Sequence, residues 1–124
     1  MFLKLAHTKL AIFEVSKQLT LECYSITKSF PKEEKYAMVQ QIRRAVLSVH
    51  LNISEGCSRK SVGERRPFYE VARGSLIEVD TAFDVAVELK YCSPNELNNL
   101  GECLINTFKQ LTGLMRGNEL ITDH

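Results

Sequence analysis

Residues 39–53 read VQQIRRAVLSVHLNI and decide the class of fold. Their strongly apolar residues recur at alternating intervals of three and four: Val39, Ile42, Val46, Val49 and Ile53. This alternation follows the period of an α-helix and places all of these side chains on one face. The stretch therefore predicts an amphipathic helix with one buried stripe, and Gly56 is its predicted stop.

The same alternation recurs in three other segments of the chain. The expected core stripes are Leu5, Ile12, Val15, Leu19 and Ile26 in the first segment, Phe68, Ala72, Ser75, Val79, Ala82, Ala86 and Leu89 in the third, and Leu97, Leu100, Leu104, Leu111 and Leu114 in the fourth. No segment alternates with the period of two that is typical of a β-strand. The pattern predicts an all-α, up-down-up-down antiparallel four-helix bundle over residues 1–117. Residues 118–124 are expected to form a frayed C-terminal tail.

Local signals mark where the last two helices begin. Ser61 and Glu64 have the spacing of a capping box, but Pro67 would lie deep inside a helix that starts at Val62. We therefore expect the regular part of the third helix to begin nearer Arg66. The fourth helix has Ser93 as its expected N-cap, followed by Pro94 and by Glu96, which completes a second capping box. Within the third helix, Gly74 and Ser75 predict a close approach to another helix.

Composition and charge favour a globular protein without naming a partner. The chain has 124 residues, of which 44% are hydrophobic and 25% charged, and its formal net charge is +1. The charges are spread unevenly, because residues 43–73 carry seven Lys or Arg against three Asp or Glu, whereas residues 74–124 carry three against eight. A near-neutral total therefore hides a basic middle and an acidic C-terminal part.

Cysteine usage and hydropathy predict a cytoplasmic protein. The four cysteines show no C-x-x-C spacing, so we expect free thiols in a reducing compartment. The N-terminal residues do not have the pattern of a secretory signal. No apolar stretch reaches the roughly 20 residues that a membrane span needs.

The sequence offers no pattern for catalysis or for a metal. A di-metal site in a helical bundle requires Glu-x-x-His, which does not occur in this chain. His7, His50 and His124 have no sequence partners that suggest nucleophilic catalysis, and there is no glycine-rich phosphate loop. We therefore predict a protein that is not an enzyme and that needs no cofactor.

Two leucines on the second helix lie outside its core stripe. Leu47 and Leu51 are spaced four residues apart and would face outward in an isolated bundle. A second apolar face on a helix that already has a buried stripe predicts an oligomer interface. The alternative is an incidental surface patch, because single exposed apolar residues are common.

Four basic residues surround the predicted turn between the second and third helices: Arg59, Lys60, Arg65 and Arg66. Arg59 and Lys60 suit the negative C-terminal end of a helix dipole. The other two stand at the start of the next helix, where the dipole disfavours each cation by roughly 0.3–1 kcal/mol. Either a partner anion such as a phosphate compensates for this cost, or both side chains are simply solvated.

Three arginines, Arg43, Arg44 and Arg73, are placed mid-helix. At least one of them is expected to pair with a carboxylate such as Glu78 or Glu55.

Several blocks of the sequence resemble one known family. They are Phe30-Pro31-x-x-Glu34, Gln41-Ile42-Arg43-Arg44-Ala45, Asn52-Ile53-Ser54-Glu55-Gly56, Arg59, and Ala72-Arg73-Gly74-Ser75 with Glu78. In this order they resemble the four-helix bundle proteins encoded in intervening sequences of bacterial 23S ribosomal RNA genes, a group that includes the accessory variability proteins of diversity-generating retroelements. The resemblance implies a homopentameric ring without established activity. For retroelement members it also implies that basic surfaces bind nucleic acid and a reverse transcriptase.

Two functions are compatible with these observations. The basic middle and the resemblance favour a non-catalytic, oligomeric accessory protein that binds RNA or DNA. The near-neutral total charge and the acidic C-terminal part favour a protein–protein scaffold or adaptor that binds no nucleic acid. Unpaired basic residues clustered around the turn would support the first function, and pairing of those residues with carboxylates would support the second.

Overall fold

The chain forms four α-helices that pack as a bundle. A computed structural model describes residues 1–117, and the tail that was expected to fray, residues 118–124, lies outside the described residues. The helices are α1 (Ala11–Thr27), α2 (Met38–Ser58), α3 (Val62–Glu88) and α4 (Asn98–Met115). Short 3-10 helices over Ala6–Lys9, Lys32–Glu34 and Asn95–Leu97 precede α1, α2 and α4. No strand occurs in residues 1–117, so the predicted all-α four-helix bundle is confirmed.

Within the bundle, each of the four helices packs against two others. The α2–α3 contact is the most extensive, the α1–α2 and α1–α4 contacts are intermediate, and the α3–α4 contact is the smallest. The predicted stripe of α2 is confirmed, because all five of its apolar residues are buried at 7% exposure or less. That stripe forms the centre of the core.

The predicted stripes of α1 and α3 are confirmed in part, because Ile12, Leu19, Ala72, Val79 and Ala86 are buried and the other predicted members are half-buried or exposed. Leu5 precedes α1 and is 46% exposed, while Phe13 is buried on that helix in a position that the spacing did not single out. On α3, Leu89 is 49% exposed, whereas Leu76 and Phe83 are fully or almost fully buried. On α3 the larger side chains of Leu76 and Phe83 bury more apolar area than the neighbouring small residues Ser75 and Ala82, and they take the core positions.

Capping sets the start of α3 despite the proline. The Ser61 hydroxyl accepts a hydrogen bond from the Glu64 amide at 3.2 Å and donates one to the Glu64 carboxylate at 2.9 Å. The helix starts at Val62, so the expected start near Arg66 was wrong. Pro67 removes one amide donor inside the first two turns. The carbonyl that would have accepted that bond belongs to Gly63, which is exposed and can be hydrated.

The start of α4 follows its predicted signal. Ser93 and Glu96 exchange capping hydrogen bonds of 3.3 Å and 2.9 Å, as expected for a capping box. The first turn is a 3-10 helix, and the α-helix proper begins at Asn98.

Gly56 and Gly74 do not have the roles that the sequence predicted for them. The helix α2 continues past Gly56 to Ser58, so Gly56 is not a stop. A Cβ atom at Gly56 would lie 2.7 Å from Cε1 of Tyr69, so glycine here permits the close approach of α2 and α3. A Cβ at Gly74 would meet no atom within 4 Å in the described part of the chain. Of the predicted pair Gly74 and Ser75, only Ser75 contacts α2, where its hydroxyl donates to that of Ser48 at 3.2 Å. The close approach that requires a glycine is at Gly56.

Candidate functional site

The antiparallel order of the helices collects basic residues at one end of the bundle. That end contains the C-termini of α2 and α4 and the N-terminus of α3, and only three residues join α2 to α3. The basic end, as we define it, comprises Arg59, Lys60, Arg65, Arg66 and Arg116. The first four were singled out from the sequence. Arg116 was missed, because only the packing of α4 beside α3 brings it to the same end.

Arg59 directly follows α2 and contacts both α2 and α3. Its Nη2 lies 2.8 Å from Oε1 of Glu55, one turn earlier, and the two side chains are 42% and 52% exposed. Its guanidinium also lies over the ring of Phe68 at 4.9 Å from the centroid. The contact with Phe68 orients Arg59 toward the start of α3.

Arg65 and Arg66 bind the C-terminal carbonyl groups of the neighbouring helices. Nε of Arg65 donates to the carbonyl of Arg59 at 2.9 Å, and Nη2 of Arg66 donates to the carbonyl of Met115 at 2.7 Å. Both acceptors lie at helix C-termini, where the dipole is negative. These bonds offset the unfavourable position of the two cations at the start of α3. A partner anion is therefore not needed to offset the unfavourable helix dipole at these two arginines.

Pairing with carboxylates is present at the basic end but is incomplete. Arg66 has a second contact, a long ion pair of 3.9 Å with Glu70 in which both side chains are at least half exposed. Lys60 is exposed and forms no ion pair within residues 1–117. Among the described residues, two of the four predicted basic residues thus pair with carboxylates, one binds only a carbonyl, and one has no ion pair.

The leucine pair on α2 faces outward. Leu47 is 39% exposed and Leu51 is 56% exposed. Two cross-helix contacts, from His50 to Ser16 and from Arg43 to Tyr24, fix the register of α2 against α1. Leu21 of α1 is also exposed, at 57%. We call the surface that Leu47 and Leu51 form on α2 the outer leucine face.

The mid-helix arginines do not bind the expected carboxylates. Nε and Nη2 of Arg43 donate to the Thr27 hydroxyl and the Tyr24 carbonyl at 3.0 Å and 3.2 Å, which ties α2 to the end of α1. Arg73 lies over the ring of Phe108 at 5.5 Å from the centroid. The Glu78 carboxylate instead accepts a 2.6 Å bond from the Gln41 amide. The expected pairing with Glu78 or Glu55 was therefore wrong for these arginines.

Two serine–histidine contacts were not predicted from the sequence, because the two residues of each pair are far apart along the chain. Oγ of Ser16 lies 2.7 Å from Nδ1 of His50, and Oγ of Ser54 lies 2.8 Å from Nε2 of His7. Burial lowers the pKa of His50, so its neutral form is favoured. Ser16 is 0% exposed, and no substrate can reach its oxygen. The first contact therefore joins α1 to α2, and the second fastens the N-terminal segment to α2.

Other chemistry finds no support in the described residues. No group of three or more His, Cys, Asp or Glu side chains there could hold a metal ion. Burial raises the pKa of the Cys23 thiol to about 12, which makes it a poor nucleophile at neutral pH. Within residues 1–117 no helix is both long enough and apolar enough to cross a membrane.

Comparison with known proteins places the chain in a family. The family model described as "23S rRNA-intervening sequence protein" matches residues 8–113. The fold is similar to the crystal structure of a protein of unknown function from the S23 ribosomal protein family of Bacteroides thetaiotaomicron VPI-5482, with a TM-score of 0.75 and 15% sequence identity over 86% of this chain and 99% of that one. Among curated proteins no sequence matches. Neither description names an enzymatic activity. Because the family model covers most of the bundle, the chain belongs to the 23S rRNA-intervening sequence protein family.

Proposed function

We propose that this protein is a non-catalytic, oligomeric accessory protein that binds RNA or DNA through its basic end. The observation that carries the proposal is the clustering of Arg59, Lys60, Arg65 and Arg66 around one turn, with Arg116 beside them. Phosphate groups are the partner that such a cluster of cations suits best, because they accept hydrogen bonds from arginine and lysine without regard to base sequence.

The existing ion pairs at the basic end leave room for phosphate. The Arg59–Glu55 and Arg66–Glu70 pairs are each about half exposed, and pairs of that kind contribute only about 0–1 kcal/mol. A guanidinium group has five N–H donors, and the contacts described above use few of them. A phosphate oxygen can therefore join or replace a carboxylate at little cost.

Oligomerisation would strengthen weak contacts. The outer leucine face supports association of subunits, and the sequence resemblance suggests five of them. Each subunit would then contribute one basic end to the same assembly. Linked sites bind with an effective concentration that single sites lack, so modest phosphate contacts would combine into useful affinity.

A protein–protein scaffold is the second candidate function. It is favoured by the carboxylate pairs of Arg59 and Arg66 and by the acidic residues of α3 and α4. In this case the bundle would bind a protein, for which the resemblance suggests a reverse transcriptase. The basic residues would then serve the stability of the α2–α3 turn.

A fluorescence anisotropy titration separates these two functions. Labelled duplex DNA and structured RNA are titrated with the protein at several salt concentrations. We expect sequence-tolerant binding whose log–log salt slope is about −0.9 per phosphate neutralised on duplex DNA. The variant Arg65→Ala/Arg66→Ala should bind more weakly and with a shallower slope, while its circular dichroism spectrum is unchanged.

The matched control removes two cations from the opposite end of the bundle. Lys28 and Lys35 are both exposed near the end of α1 and the start of α2. The variant Lys28→Ala/Lys35→Ala has the same net charge as the arginine variant and should bind almost as the wild type does. Equal losses in the two variants would mean that only total charge matters. No binding of the wild type at low salt would refute the nucleic-acid function and leave the scaffold.

A further inference from the structure

An open apolar groove runs along the outside of the bundle between α3 and α4. These two helices have the smallest contact of any neighbouring pair. The groove consists of two adjoining hollows of ≈ 350 Å³ and ≈ 380 Å³ that share Asp80, Leu104 and Ile105 in their lining. The incomplete packing of α3 on α4 thus leaves space that the side chains of the described residues do not fill.

The lining of the groove is apolar and accessible. Ile77 on α3 and Ile105 on α4 are 44% and 54% exposed. Leu104 and Phe108 are half-buried and form the floor against the core. Exposed apolar side chains that converge from two helices onto one concave surface are typical of a binding site, unlike the same residues scattered singly.

The length of the groove suits a helix. Along α3 its lining extends from Leu76 to Val87. At 1.5 Å per residue this is about 16 Å, or three helical turns. A helix satisfies its own backbone hydrogen bonds and can bury one apolar stripe in such a groove.

Two carboxylates select the charge of the occupant. Asp80 borders both hollows and Asp84 borders one of them. Neither forms an ion pair within residues 1–117, whose ion pairs involve other residues. Lys109 borders the hollow that Phe108 lines and is the groove's one basic lining residue among those described. The occupant should therefore carry Lys or Arg beside its apolar stripe over most of the groove.

No helix within residues 1–117 presents such a stripe, and the exposed apolar residues Met1, Phe2, Leu3 and Leu5 precede the first helix. On α2 the exposed pair Leu47 and Leu51 spans only one turn, against three turns of groove. The exposed apolar residues of α3 outside the groove are interrupted by polar residues such as Glu78. The last seven residues contain Glu119 and Asp123 but no Lys or Arg, so their charge does not complement the groove.

We propose that the α3–α4 groove binds an amphipathic helix of another protein, with an apolar stripe of about three turns flanked by Lys or Arg. This surface is separate from the basic end and from the outer leucine face, because neither α1 nor α2 contributes to its lining. The inference does not rest on nucleic-acid binding, and each can fail without the other.

The test uses a synthetic helical peptide of about five turns. It carries leucines spaced three and four apart with flanking lysines, and a second peptide has glutamate at each lysine position. Binding of labelled peptide to the full chain is measured by fluorescence anisotropy. We expect the lysine peptide to bind and the glutamate peptide to bind at least about tenfold more weakly.

Matched variants locate the binding. Ile77→Gln should lower the affinity of the protein for the lysine peptide about tenfold. Val85→Gln is the control, because Val85 lies on the same helix at 43% exposure but outside the groove, and this variant should leave the affinity unchanged. Asp80→Asn/Asp84→Asn should lower the affinity for the lysine peptide about three- to tenfold and make that affinity less dependent on salt concentration. A charge-matched control, Glu14→Gln/Glu22→Gln on α1, should bind as the wild type does.

Three results would overturn the proposal. One is equal binding of the two peptides, and another is equal affinity of Ile77→Gln and Val85→Gln for the lysine peptide. The third is that the lysine peptide does not bind the wild type, while light scattering shows that Ile77→Gln changes the size of the oligomer. That last result would make the groove a contact between copies of this chain.

Discussion

Replacing Gly56 with alanine tests whether the close approach of α2 and α3 depends on the missing side chain. The new Cβ would lie 2.7 Å from Cε1 of Tyr69, 3.0 Å from its Cδ1 and 3.1 Å from Cβ of Phe68. Tyr69 is 3% exposed, and its hydroxyl lies 3.5 Å from the Cys57 sulfur, so its ring has little freedom to move aside. We therefore expect the helices to separate slightly.

Two opposing effects set the size of the change. Alanine is favoured over glycine inside a helix by about 1 kcal/mol. Overpacking of a buried site costs about 1–3 kcal/mol. We expect the second effect to dominate and the free energy of unfolding to fall by about 1 kcal/mol.

The matched control is the same substitution at Gly74, also inside a helix. An added Cβ there meets no atom within 4 Å in the described part of the chain, so only the propensity effect operates. Gly74→Ala should raise the free energy of unfolding by up to about 1 kcal/mol. Urea denaturation at one fixed protein concentration measures both variants, and the expected difference between them is about 2 kcal/mol.

If Gly56→Ala were as stable as Gly74→Ala, the close approach of α2 and α3 would not depend on the missing side chain at Gly56. A further check combines Gly56→Ala with Tyr69→Leu, which removes the ring that the new methyl group contacts. The two changes should then be coupled, with the alanine costing less in the leucine background than in the wild type.

Three further predictions concern the core, the outer leucine face and the half-buried His50. Leu111→Ala should lower the free energy of unfolding by about 2–5 kcal/mol, because Leu111 is 1% exposed. Leu104→Ala should lower the free energy of unfolding by less, because Leu104 is only half-buried. Equal losses of the two variants in urea denaturation would contradict this order. Leu47→Glu or Leu51→Glu should dissociate the oligomer in light scattering, since a carboxylate buried without a partner is costly, and a wild-type monomer would disprove the interface. Burial lowers the pKa of His50 in the folded state, so its contribution to stability is complete above about pH 6.5, the ordinary pKa of histidine, and declines as the pH falls below it. His50→Gln should flatten the stability profile in that range, and an unchanged slope of thermal midpoint against pH would show that another group titrates.

Local rules explain which parts of the candidate site the sequence could predict. The turn that carries Arg59, Lys60, Arg65 and Arg66 follows from the capping box of Ser61 and Glu64, whose members are three residues apart. The outward direction of Leu47 and Leu51 follows from the helical period of α2. By contrast, Arg66 donates to the carbonyl of Met115 at the end of α4, which is 49 residues away along the chain. No local pattern identifies such a partner.

Local patterns predict the number of helices, their approximate limits and the buried stripe of α2, because propensity, capping and periodicity depend on residues within about one turn of each other. Tertiary packing, in contrast, brings Phe13, Leu76 and Phe83 into the core and makes Gly56 the site of the close helix contact. It also leaves the open groove between α3 and α4. These outcomes depend on how far each helix is rotated and how closely it approaches its neighbours, which is set by the combined fit of side chains from four segments distant in sequence.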